Sequence, residues 1–250
     1  MKLVEYNRLL GLLNKESDIE KLAAKTKYSK DLLLVIYSQK VVLDATKKYY
    51  KVKHLAPKCR KKWLRGMSFL KIARELEFPP VLTALLILQE DGISRKMYRK
   101  YLSNLELVKD DRLRAELGEV AANDIIYSPD GNEIQAVRGR LGEEKINIWL
   151  TEHNFEFLTE KELTDNYEKT PDFLLKKPIN VRGFDVHWIE SKATFGNNNE
   201  LKKNLKNQLI PYRELFGSGM VIYWFGFLTP LPIIDGILIE SEKFFQEWKE

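Results

Sequence analysis

The sequence predicts an α+β chain: an all-helical N-terminal half, with helix-turn-helix-like units, followed by an α/β core in which helices flank a mixed sheet. Three observations carry this. Apolar residues recur at helical spacing from residue 3 to about 118, a turn-rich passage over 123–132 breaks the pattern, and short β-prone segments alternate with helical ones beyond it. The expected division is a helical, basic domain over 1–121 and a second domain over 122–250.

In chain order, residues 19–36 place apolar positions on either side of a short polar break, with Ser29 as N-cap of the second helix. Residues 68–88 repeat the pattern. There Pro79 and Pro80 stop one helix and open the next, and Ala73 lets the two approach closely. The helix over 81–89 carries no basic residue, which points to a structural role or an interface. After the turn-rich passage, 135–153 reads as an amphipathic helix with Leu141, Ile146, Trp149 and Leu150 facing a core and Glu143 and Glu144 near its middle. Strands are expected at 155–158, 171–175 and 185–193, with a short helix or turn over 159–167. Asn197, Asn198 and Asn199 then supply an N-cap for a helix reaching 216, and strands at 219–227 and 236–240 close the order.

At 250 residues and 44% apolar content the chain can bury substantial cores. One cysteine, Cys59, excludes an internal disulfide and a multi-cysteine zinc site, and His54, His153 and His187 are scattered without ligand spacing. Any metal must therefore be held by oxygen. The first residues mix apolar and charged side chains without a signal-peptide pattern, and the apolar stretch over 220–234 is broken by Gly226, Pro230 and Pro232. A cytoplasmic protein with no membrane partner is the expectation, prokaryotic and archaeal-like, with nuclear access in a eukaryote.

The net charge of +5 hides an asymmetry. Residues 1–140 hold 28 basic against 18 acidic side chains, a surplus of ten, whereas 141–250 hold 13 against 18. No acidic residue lies between positions 44 and 75, where Lys47, Lys48, Lys51, Lys53, Lys58, Arg60, Lys61, Lys62 and Arg65 accumulate; Arg95, Lys96, Arg99 and Lys100 follow. Such density suits a polyanion, because neutralising phosphates releases counterions. The plainer reading is a solvated helix face. Tyr49, Tyr50 and Trp63 interleave with the charges, as base-stacking rings or as core anchors.

The chemistry is concentrated in Thr170-Pro171-Asp172-Phe173 and His187-Trp188-Ile189-Glu190-Ser191-Lys192-Ala193. Glu190 and Lys192 are two apart, so in a strand both leave from one face. If the segment ending in Asp172 pairs with the one bearing Glu190, two carboxylates and a lysine converge at a sheet edge. That set suits a divalent metal held against a phosphodiester. Separately, an Asp after Pro is commonly a turn residue and Glu-x-Lys a surface ion pair worth little.

With Pro171-Asp172 on the second strand and Glu190-Ser191-Lys192 on the third, this order resembles the PD-(D/E)xK, restriction-endonuclease-like nucleases. Gln208-Leu209-Ile210-Pro211-Tyr212 is similar to their Q-x-x-x-Y element, and Glu144 sits where they often place a further acid. More narrowly, Lys169-Thr170-Pro171-Asp172-Phe173, the Glu190 segment and Val221-Ile222-Tyr223-Trp224-Phe225-Gly226-Phe227 resemble the TPD-motif family. The resemblance implies metal-dependent cleavage of nucleic acid, DNA favoured. Asp172, Glu190, the Ser191 backbone carbonyl and Glu144 would hold Mg²⁺ or Mn²⁺, Lys192 would orient water or offset charge, and Gln208 and Tyr212 would align the strand. A homodimer and a protein partner are further expectations. The rival readings are a catalytically silent module that recruits a partner, and a helix-turn-helix regulator; no glycine-rich phosphate loop supports a nucleotide effector.

Overall fold

Helix signals dominate the first 152 residues, and the computed structural model, which describes residues 1–248, shows eight helices there: α1 (Leu3–Leu12), α2 (Ser17–Lys25), α3 (Lys30–Leu64), α4 (Phe69–Leu76), α5 (Pro80–Gln89), α6 (Arg95–Ser103), α7 (Asp111–Ala122) and α8 (Pro129–Glu152). The chain continues through β1 (Phe157–Thr159), α9 (Glu160–Leu163), β2 (Phe173–Val181), β3 (Phe184–Lys192), α10 (Asn198–Asn204), α11 (Ile210–Phe216), β4 (Gly219–Tyr223), β5 (Ile237–Ser241) and α12 (Lys243–Glu247). It divides into two compact units, Tyr37–Gln135, and Met1–Ile36 together with Ala136–Glu250. No described helix is long and apolar enough to cross a membrane.

In the unit formed by 37–135, α3 buries Ala45, Val52, Ala56 and Cys59, with Tyr49 and Trp63 partly buried in the same alternating three-four spacing. Ser68 caps α4 by accepting from Lys71 N–H, and Pro80 opens α5. The turn between them lets Ala73 sit almost without exposure, as its small size predicts. α5 is buried nearly all round: of 81–88, only Leu82 keeps appreciable surface. Two buried carboxylates serve this core. Glu116 accepts from Trp63 Nε1 at 3.1 Å and Phe69 N–H at 3.0 Å, and Asp124 accepts from Val81 N–H at 3.1 Å and Tyr127 N–H at 2.9 Å. Buried backbone donors need such partners.

The other unit is built on a five-stranded open sheet in the order β1-β2-β3-β4-β5, antiparallel from β1 to β3 and parallel from β3 to β5. Helices cover both faces. Ile146, Trp149 and Leu150 of α8 and Phe244 of α12 pack with Phe173, Ile189 and Ile222. On the opposite face Leu201, Leu209 and Tyr212 pack with Trp188, Val221 and Tyr223. Asn197 caps α10 by accepting from Asn199 and Glu200 N–H, as the asparagine run predicts. A π-helical turn, Leu205–Leu209, joins α10 to α11. The first residues belong here: the Met1 ammonium donates to Phe227 O at 2.8 Å, and Tyr6 stacks on Phe195 at 5.3 Å.

Three expectations are corrected. The turn-rich passage is shorter than its Pro, Asp, Gly and Asn suggest, because Pro129 occupies the first position of α8 and Ser128 Oγ accepts from Gly131 N–H at 3.1 Å. Leu141 does not face the core; it is 58% exposed, and the inward line is Gly142, Ile146, Trp149 and Leu150. β2 starts at Phe173 rather than 171 and runs on to Val181. Beyond a register shift between Leu174 and Ile179, it turns into β3 through Arg182 and Gly183, both at positive φ (54° and 85°), the conformation a two-residue hairpin turn requires.

Candidate active site

The site follows from strand register. Phe173 lies opposite Ile189 in the antiparallel β2–β3 pair, so the next residue outward, Asp172, falls beside Glu190. The side-chain period of two puts Trp188, Glu190 and Lys192 on the face covered by α10 and α11, and Ile189 and Ser191 on the face covered by α8. Main-chain donors then fix both carboxylates. Ser191 N–H donates to Asp172 Oδ2 at 2.7 Å and Asp172 N–H donates to Glu190 Oε2 at 3.3 Å. Lys192 Nζ donates to Glu190 Oε1.

Glu190 is only 2% exposed. Burial, followed by the neighbouring charge of Glu190, pushes the Asp172 carboxyl well above the usual range, against the Ser191 N–H and the Lys192 ammonium. Burial also raises Glu190, opposed by Lys192 and the Asp172 N–H. Added positive charge would favour the ionised forms of both carboxylates. Their donors are hard oxygens, the type that suits Mg²⁺ or Mn²⁺. Among the described residues no group of three or more His, Cys, Asp or Glu side chains converges as a ready metal cage. Two carboxylates nonetheless match Mg²⁺, which keeps several waters and takes its remaining oxygens from substrate phosphate.

Elements on either side frame the pair. On one face, Gln208 Nε2 donates to Tyr212 Oη at 3.4 Å, and the Tyr212 ring meets Trp188 edge-on at 5.5 Å. Burial raises the Tyr212 hydroxyl, and the charges of Glu190 and Asp172 raise it further. On the other face α8 approaches β3 at Gly142, where an added Cβ would stand 2.4 Å from Trp224 Nε1 and 2.8 Å from Ser191 Oγ. Trp224 Nε1 donates to that Ser191 Oγ at 2.9 Å.

The structure therefore brings together Asp172, Glu190, Ser191 and Lys192, with Gln208 and Tyr212 alongside. It does not bring Glu144 to them: Glu144 is exposed, with no side-chain bond among the described residues. Taking about 100° per residue, Glu144 lies nearly opposite the inward line of α8, whereas Glu143 lies about 75° from its centre. Glu143 is exposed as well; desolvation, then the charge of Glu160, raises its carboxyl, while Lys192 and Arg140 lower it, and Glu143 in turn raises Asp172. Sequence reasoning missed Glu143 and Glu160 as neighbours of the pair, and Trp224 and Gly142 as its supports. Only the helical phase of α8 could have singled out Glu143, and counting Leu141 as inward obscured it.

The basic residues sort into two groups. Lys48 pairs with Glu77 at 3.0 Å, Arg60 Nε donates to Asp91 at 2.6 Å and Lys62 pairs with Glu75 at 2.5 Å. Lys47, Lys51, Lys53, Lys58 and Lys61 are exposed on α3 and Arg65 in the turn just past its end, and Arg95, Lys96, Arg99 and Lys100 are exposed on α6.

The chain belongs to a family whose model spans this site: residues 109–243 match the family described as "Protein of unknown function TPD sequence-motif". Among curated proteins it is similar to CDAN1-interacting nuclease 1 of Danio rerio, 36% identical over 170 residues, which is 65% of this chain and 57% of that protein. The Homo sapiens protein of the same name is 35% identical over 65% of this chain and 60% of its own length. The Mus musculus protein is 31% identical over 222 residues, 81% of this chain and 78% of that one. The chain thus spans about three fifths of the length of the first two relatives. No solved structure matches.

Proposed function

We propose that this chain is a divalent-metal-dependent nuclease of the PD-(D/E)xK type that hydrolyses phosphodiester bonds, DNA favoured, with the basic helical unit engaging the substrate. The supporting observation is the carboxylate pair of half-buried Asp172 and buried Glu190, locked by main-chain N–H groups and faced by Lys192. The names of the relatives, which are nucleases, point the same way.

In this reading Asp172, Glu190 and the Ser191 carbonyl would hold Mg²⁺ or Mn²⁺, which when bound would supply Lewis-acid polarisation of the phosphate and lower the pKa of a water. Glu143 is the α8 carboxylate that serves the centre, in the role the family resemblance gave to Glu144. Lys192 turns from Glu190 toward the non-bridging phosphate oxygens, where its ammonium offsets developing charge. Gln208 and the un-ionised Tyr212 hydroxyl act as neutral hydrogen-bond donors that orient the strand.

Cleavage of end-labelled single-stranded, duplex, flap and four-way-junction DNA, each with Mg²⁺, Mn²⁺ or EDTA, tests this. Metal-dependent cutting that is lost in Glu190→Ala supports the reading, and binding without cutting on every substrate removes it. The relatives are named for an interaction with another protein, and that favours a second reading, a module that recruits a protein partner with or without turnover. A homodimer and a cytoplasmic location complete the proposal.

A further inference from the structure

The solvent side of α3 carries a pattern that the catalytic pair does not use. Lys47, Lys51, His54, Lys58, Lys61 and Arg65 succeed one another at intervals of four, three, four, three and four, and all six are exposed. Eighteen residues make five full turns, so these side chains form one line about 27 Å long, a basic-type side chain on each turn. None of them forms an ion pair among the described residues, whereas Lys48, Arg60 and Lys62 from the same run are held by Glu77, Asp91 and Glu75. Tyr50, 80% exposed, flanks the line. Arg95 of α6 donates to Tyr49 Oη at 3.4 Å on the core-facing side of α3, nearly opposite this line, so α6 is no part of it.

We infer that this line of α3 binds the sugar-phosphate backbone of nucleic acid along its length, without reading sequence. The inference rests on the nuclease reading above and deepens it. Charge complementarity names the occupant: 27 Å spans about eight phosphates of one duplex strand. Flexible ammonium groups on the side of a helix reach phosphates and carry no base information. Readout by α5, the second helix of the α4–α5 pair, is closed off, because Val81 and 83–88 are buried in the core of their own unit.

The test is binding of two unrelated duplexes of equal length in EDTA, as a function of salt, by the full chain carrying Glu190→Gln and by the same chain with Lys51→Gln, Lys58→Gln and Lys61→Gln added. The two duplexes bind within about threefold of each other, and the triple substitution lowers the slope of log K against log salt by about 2–3, roughly 0.9 per lost contact. Lys48→Gln with Lys62→Gln leaves the slope in place, and Lys→Arg at the three stripe positions restores it. An unchanged slope in the triple variant, a strong preference for one duplex, or tighter binding to polyglutamate than to DNA would overturn the inference, the last pointing instead to an acidic protein. EDTA removes turnover, so a chain that binds this way but never cuts would sink only the nuclease reading, and a chain that cuts with its slope unmoved would sink only this one.

Discussion

Asp172 and Glu190 hold each other's carboxylates through the main chain. The N–H of Asp172 donates to Glu190 Oε2, and the N–H of Ser191, next to Glu190, donates to Asp172 Oδ2. Neither carboxylate can move without loosening the other. Both are also raised above the ordinary carboxylate range, by burial first and, for Asp172, by the charge of its partner. The site thus maintains two acids that resist ionising together, a resistance that a bound divalent cation would relieve.

A stability effect follows for the metal-free protein. The folded chain keeps protons that the unfolded chain, with ordinary values of 3.8 and 4.5, gives up. The contribution is fully favourable below that range and is lost as pH rises toward the raised folded values, since stability falls wherever the unfolded state binds fewer protons. Asp172→Asn removes one of the two charges. Its Tm in EDTA, relative to the unsubstituted chain, should rise as pH goes from about 4 to 7.5. A difference that is flat or falls with pH would count against the assignment.

Glu143 and Glu144 separate two phases of α8. Glu143→Ala should lower metal-dependent turnover by about 10–100-fold, the range for groups that support a metal centre, while Glu144→Ala leaves it within about threefold. The opposite order in steady-state cleavage rates would place the functional acid on the outer side of the helix.

Gly142 allows α8 to approach Ser191 and Trp224. Gly142→Ala should destabilise by about 1–3 kcal/mol, the usual range for overpacking, despite the better helix propensity of alanine. Chemical unfolding measures this directly. A gain in stability would show that α8 and β3 have room between them.

Tyr212 and Gln208 share one hydrogen bond on the α11 side of the pair. Tyr212→Phe keeps the edge-on contact with Trp188 and loses only the hydroxyl, so stability should change by about 1 kcal/mol while the cleavage rate at saturating substrate falls about tenfold, the equivalent of one ordinary hydrogen bond. If both stay level, the hydroxyl is a packing feature alone.

Much of the fold was legible because its signals are local. Strand alternation around Trp188 and Glu190, the asparagine cap at 197 and the proline break at 79–80 each act within a few residues, and the structure has each of them. What escaped depends on distant partners. Leu141 carries an apolar side chain that no neighbour covers, so its identity misled the phase of α8 and with it the choice between Glu143 and Glu144. The extension of β2 beyond residue 175 depends on a left-handed Arg182-Gly183 turn that strand propensity does not register. The inclusion of α1 with the sheet unit rests on Met1 meeting Phe227 and Tyr6 meeting Phe195, pairings more than 180 residues apart. Among the basic residues, composition could not say that Lys48, Arg60 and Lys62 are paired within their own unit.

In the proposed function the Asp172–Glu190 pair binds a divalent cation for phosphodiester hydrolysis. The most direct measurement is calorimetric titration of Mg²⁺ and Mn²⁺ into the unsubstituted chain and into Asp172→Asn and Glu190→Gln, with cleavage of labelled DNA followed on the same samples. The expected result is binding to the unsubstituted chain, with affinity weakened at least about tenfold by either substitution and cleavage lost in parallel. Undiminished metal binding in both variants, or cleavage that persists in EDTA, would contradict it.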